Sequence, residues 1–131
     1  MSDSPHRDPS FLAEGTAVLE RMRDLAPSLV YVSLLTDDGF ELVRVPETRN
    51  EHDRLASMAS SIQALSEAVA RELRVGASNY VIIEAERGRM IQRRVPAQPL
   101  VLAAVFDDDE LLGKALSSSR GAADDIAALL P

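Results

Sequence analysis

The side chains that could carry chemistry in this 131-residue chain are an acidic run, a group of arginines and two isolated histidines. Asp107-Asp108-Asp109-Glu110 could bind Mg²⁺ if the fold joined it to Asp37 and Asp38, because hard divalent cations take clustered carboxylates. Adjacent residues at a strand-to-helix junction point in different directions, and a helix dipole favours acids at its N-terminus without any metal. The run is therefore expected to be a cap, and neither metal nor cofactor is expected. Arg87, Arg89, Arg93 and Arg94 could meet an acidic partner, or lend charge in trans to phosphoryl transfer. Their plainer role is to keep a strand edge soluble. His6 and His52 have no partner at ligand spacing, so zinc is not expected. No G-x-x-x-x-G-K-[ST] loop, G-x-G-x-x-G turn or G-x-S-x-G elbow is present. The chain is not itself a nucleotide-hydrolysing enzyme by this reading, and it offers no nucleophile.

Composition narrows the classes further. With 46% hydrophobic residues and no apolar run of membrane-spanning length, the chain is expected to be a soluble globular domain without membrane insertion. The absence of cysteine excludes disulfides and thiolate chemistry, and the polar start MSDSPHRDPS lacks a signal-peptide core, so a cytoplasmic location is expected. A net charge of −7 argues against nucleic acid as a partner. Residues 1–8 are expected to be a disordered tail and residues 9–131 one domain.

The elements that position any site follow from periodicity. Asp8-Pro9 opens a helix whose face is Phe11, Leu12, Val18, Leu19, Met22 and Leu25, and Pro27 stops it. Leu29 to Leu35 and Phe40 to Val45 form a hairpin about a turn ending in Gly39. Phe40, Leu42 and Arg44 are expected on one of its faces and Glu41, Val43 and Val45 on the other. Asn50 to Arg74 has no Pro or Gly and makes a long helix, with Gly76 as its left-handed terminator. Asn79 to Glu86, Arg89 to Val95 and Leu100 to Phe106 follow as three antiparallel strands, and a last helix runs from the acidic run through Leu111, Leu112, Ala115, Leu116, Ile126, Leu129 and Leu130.

The long helix carries two stripes. Leu55, Met58, Ile62, Leu65, Val69 and Leu73 line one face and suffice to cover a core. Ala56, Ala59, Gln63, Ser66 and Ala70 occupy the adjoining arc, where small side chains let another helix approach. The reading is a helix buried on two sides.

The order helix, two strands, long helix, three strands, helix resembles the roadblock family, which includes dynein light chains and bacterial regulators of Ras-like GTPases. The residues that carry the resemblance are VYVSLL, the turn ending in Gly39, the Ala/Ser-rich helix Leu55 to Leu73 followed by Gly76, and YVIIEAERGRMIQRRV. It implies an α/β fold: one antiparallel five-stranded sheet with the long helix on one face and the terminal helices on the other. It also implies a homodimer made by pairing the third strand and packing the long helices. Leu55, Ala59, Met58, Ile62, Ser66, Leu65, Val69, Val81 and Ile83 are the expected dimer residues, and Ile62 is where a charge should weaken the pair. The implied function is non-catalytic: a homodimeric regulator or scaffold for a Ras-like small GTPase, contacted through the charged helix ends Glu51, Arg54, Arg71 and Arg74. The alternative is a small-ligand sensor or signalling scaffold unrelated to a GTPase, because a sheet covered on both faces can hold a ligand.

Overall fold

The computed structural model describes residues 5–47 and 53–131. A single turn, Pro5–Arg7, precedes α1 (Pro9–Leu25), β1 (Leu29–Thr36), β2 (Glu41–Val45), α2 (Asp53–Leu73), β3 (Val81–Ala85), β4 (Gly88–Arg94), β5 (Leu100–Asp107) and α3 (Leu112–Ala128). The five strands form one sheet in the order β2-β1-β5-β4-β3. Every neighbouring pair is antiparallel. The expected fold class, element order and layering are those observed.

Side-chain alternation assigns the two faces. Val32 and Leu34 of β1, Ile91 of β4 and Leu100, Leu102, Ala104 and Phe106 of β5 pack with Phe11, Val18, Leu19 and Met22 of α1 and Ala115, Ala122, Ala123 and Ile126 of α3. Leu35, Met90, Val101 and Ala103 point the opposite way, beneath Ala56 and Ala59 of α2. The large core thus lies under the terminal helices, and a smaller one lies under α2.

Four local expectations change. In the first hairpin Leu34 faces Val43 while Leu35 faces Glu41, so Leu42 is an extra residue in β2. This bulge turns Glu41 onto the face of Arg44, with which it forms a 3.2 Å ion pair. The left-handed residue that ends α2 is Arg74, at φ 56°, and Gly76 supplies a second positive φ of 90° two residues later. The acidic run does not cap α3, which begins at Leu112 with no side-chain cap and no acid in its first turn. Instead Asp107 accepts a 2.9 Å bond from the Asp109 N–H, which closes a separate turn and leaves Leu111 and Leu112 exposed. Finally, β4 is an interior strand between β5 and β3. Its arginines are consequently held by protein groups: Arg89 makes a two-point bond to Glu84 at 3.1 and 2.9 Å, and Arg94 bridges Glu67 at 2.8 Å and Asp37 at 2.9 Å. Arg93 is buried, and only Arg87, in the turn, remains exposed.

Candidate functional site

The two stripes of α2 exchange the roles expected of them. Ala56, Ala59, Gln63 and Ala70 are buried against the sheet, and Ala59 is 0% exposed. The large stripe points outward instead: Met58 is 52% exposed, Leu65 65%, Val69 48% and Leu73 64%. Leu55 and Ile62 are half-buried at the margin, beside the small core. The physical reason lies beneath the helix. There Gln92 of β4 donates from Nε2 to the Ala59 carbonyl oxygen at 2.8 Å and to Gln63 Oε1 at 3.2 Å, which requires the helix backbone to come close. Small side chains permit that approach, and leucines would prevent it. The next turn continues the polar contacts: Gln63 Nε2 donates to Glu67 Oε2 at 2.9 Å, and Arg94 grips the same carboxylate. The Gln63 amide and then Arg94 hold Glu67 below its ordinary pKa. At the other end Ser60 donates to the Asp37 carbonyl at 2.6 Å. There Gly39, at φ 94°, lies against Ser57, where an added Cβ would sit 3.3 Å from its Cα.

The exposed stripe continues onto the sheet edge. Among the described residues β3 has a strand partner only on its β4 side. Val81 and Ile83 face Gln92 and Met90 across the ladder, so both share the α2 face of the sheet. Val81 is half-buried and Ile83 is exposed. Val75, just past the helix, is also exposed, a position that periodicity within the helix does not reach. Of the nine expected interface residues, Met58, Leu65, Val69 and Ile83 lie open on this surface and Leu55, Ile62 and Val81 border it. Ser66 is half-buried with its hydroxyl donating to the Gln63 carbonyl at 3.0 Å, and Ala59 lies wholly on the opposite side.

The charged positions separate into two places. Glu51 lies outside the described residues. Arg71 and Arg74 sit together at the C-terminal end of α2, exposed and without an ion pair among the described residues. Arg54 is exposed near the other end, about 25 Å away at 1.5 Å per helical residue. The acidic groups are also separated. Asp37 donates its N–H to the Pro99 carbonyl at the start of β5, whereas Asp107 ends that strand, about 23 Å further on. The sheet therefore keeps Asp37 and Asp38 away from the acidic run, the condition under which six acids could have formed a metal site. Among the described residues, Asp107, Asp108 and Asp109 bring carboxylate oxygens within 4.8 Å of one another. Among the described residues no helix is long and apolar enough to cross a membrane.

The Roadblock/LC7 domain model matches residues 17–105, from mid-α1 through β5. Among solved structures, MglB in a tetrameric arrangement is 22% identical, with 99% of this chain and 93% of that chain covered at a TM-score of 0.81. The gliding protein MglB from Thermus thermophilus is 20% identical over 99% of this chain and 93% of its own, at 0.79. Myxococcus xanthus MglB is 20% identical over 88% and 94%, at 0.81. No curated protein matches. At such identities the likeness is one of fold.

Proposed function

The chain belongs to the Roadblock/LC7 family, and on that premise we propose that it is a non-catalytic, cytoplasmic, homodimeric regulator or scaffold for a Ras-like small GTPase. The observation that carries the dimer is the outward stripe of α2 with Ile83 and Val81 on the adjacent bare edge. Large apolar side chains do not ordinarily face water in a contiguous row, and an unpaired strand edge invites another strand. A second copy related by a twofold axis covers both at once, with β3 beside β3 and α2 beside α2. A relative solved in a tetrameric arrangement is in keeping with self-association.

The GTPase reading rests on the family, and two features of the chain agree with it. The sequence has no phosphate loop, so purified alone it should neither bind nor hydrolyse GTP. Arg71 and Arg74 are exposed cations at the end of α2, and in this reading they meet an acidic partner on a surface that dimerisation creates. A dimer that prefers one nucleotide state shifts the partner's equilibrium by its differential affinity, and the family suggests the GTP form.

The test is calorimetry against each small GTPase of the same cell, loaded with GDP or a non-hydrolysable GTP analogue. One partner should bind, more tightly in the GTP form. Arg71→Glu with Arg74→Glu should weaken binding about tenfold or more while the dimer persists. Failure of every GTPase to bind in either state removes the function.

A further inference from the structure

Arg93 is a buried charge without an opposite charge in contact with it among the described residues. It projects from β4 towards α3 and is only 9% exposed. Its guanidinium donates from Nε to the Ser119 hydroxyl oxygen at 3.2 Å and from Nη2 to the Leu116 carbonyl at 3.3 Å. The Ser119 hydroxyl passes its own hydrogen to that carbonyl at 3.0 Å, so it is free to accept. The face of Tyr80 lies 5.1 Å from the guanidinium carbon. Every one of these partners is neutral. Among the described residues Arg93 forms no ion pair, although burial alone is enough to push its pKa down and the nearby Arg120 pushes it further. A buried charge is normally matched by an opposite one, and one left with neutral partners calls for a cause.

Beside Arg93 opens a cavity of about 380 Å³, between the approach to β3, the end of β4 and the outer face of α3. Tyr80 and Pro96 give it apolar walls, and Arg93, Arg94, Arg120 and Asp124 give it charge. Arg94 is neutralised by Glu67 and Asp37. Arg120 and Asp124 stand one turn apart on α3, both exposed and with no ion pair between them. Among the described residues the guanidiniums of Arg93 and Arg120 are thus the two cations of the lining that form no ion pair. A guanidinium has five N–H donors in a planar fork, and Ser119 and Leu116 use only two of those on Arg93.

We propose that this cavity binds a small oxyanion, the carboxylate or phosphate group of a metabolite, held between Arg93 and Arg120 with the Tyr80 ring as its wall. Its volume admits a compact organic acid or a free phosphate. Asp124 is the acidic group of the lining: it lends Arg93 a distant counter-charge and opposes an anion bound beside it. The site lies apart from the exposed face of α2 and does not depend on the GTPase reading.

The test is titration calorimetry of the full chain with inorganic phosphate and, separately, with citrate, in Tris chloride at constant ionic strength. One saturable site per chain is expected for at least one of them, and which anion binds more tightly identifies its source. Arg120→Gln, at an exposed position, should weaken it about tenfold, whereas Asp124→Asn should tighten it several-fold. Arg93→Lys keeps the charge and loses the fork, so affinity should fall with circular dichroism confirming the fold. Absence of saturable heat with both anions, or binding indifferent to Arg120 and Asp124, overturns the proposal.

Discussion

Leu65 separates assembly from folding better than any other residue of α2. It is 65% exposed, on the crest of the outward stripe, whereas Ile62 borders the small core and a charge there attacks both processes. Full burial of a leucine contributes about 1.5–3 kcal/mol, so covering the exposed part of this one contributes about 1–2 kcal/mol. Twofold symmetry counts the loss twice. Leu65→Glu should then cost the dimer about 2–4 kcal/mol, roughly 30- to 700-fold in dissociation constant, before desolvation of the new carboxylates is added. The protomer should be almost untouched, since surface substitutions away from packed groups fall within about 0.5 kcal/mol. Ala59→Leu is the counterpart: it forces a large side chain beneath the helix, where overpacking costs about 1–3 kcal/mol, and should lower the protomer's stability. Sedimentation across nanomolar to high micromolar protein gives the dissociation constant, and circular dichroism gives the fold. The reasoning is refuted if wild-type protein stays monomeric at high micromolar concentration, if Leu65→Glu leaves the association unchanged, or if it unfolds the chain.

Three further outcomes follow from groups elsewhere in the fold. Because Glu67 is held below its ordinary pKa of 4.5, its contribution is complete above that pH and lost as pH falls through the folded value; the melting-temperature gap between wild type and Glu67→Gln should close in acid, and a constant gap would count against the Arg94 and Gln63 contacts. Burial, then the bond to Glu41, pushes Tyr31 from 10.0 up to about 12, so the folded state should lose stability as pH rises through that interval, with Tyr31→Phe abolishing this component of the alkaline melting curve. Gly88→Ala places a Cβ against the Phe106 carbonyl oxygen of the adjoining strand and should lower the melting temperature by several degrees, while Gly121→Ala, with open space around it in α3, should raise it by a few; equal effects at the two sites would show that the β4–β5 approach is not tight.

Element order was legible because each boundary had its own chemistry. Pro27 and Pro99 stopped or preceded elements, Gly39 took a positive φ, and the two short turns kept consecutive strands adjacent. Facing was not legible wherever two solutions share a period. On α2 the leucine stripe and the alanine arc have the same spacing, and groups distant in sequence, Gln92, Asp37 and Arg94, fix which one meets the sheet. The bulge at Leu42 adds one residue to an alternation that reads evenly without it. Arg89, Arg93 and Arg94 look like edge charges in the sequence because nothing local says that β5 pairs with both β1 and β4 and so places β4 inside. Arg93 gives no signal at all: its burial depends on Ser119, 26 residues away, and on Tyr80 across the hairpin.

The arrangement under α2 has a consequence for how stability and assembly are divided. On the α1 and α3 side the core contains Leu, Ile, Val and Phe in number, and it can hold those helices by apolar burial alone. On the α2 side the helix offers alanines, each a single methyl group, with Leu55 and Ile62 only half-buried at the margin, while Met58, Leu65, Val69 and Leu73 stay in water. A methyl contributes about 0.8 kcal/mol when buried, so two or three of them do not balance the ordering of a 21-residue helix. Polar bonds fix its direction: Gln92 to the Ala59 carbonyl, Ser60 to the Asp37 carbonyl and Arg94 to Glu67 each specify rotation and position, which apolar contacts do only loosely. The helix is thus held in one orientation with modest energy, and its leucines are presented as a fixed surface. Covering that surface with a second copy adds the burial that the protomer lacks, so in this reading the docking of α2 and the formation of the dimer are linked, and the stability of the domain rises with its concentration.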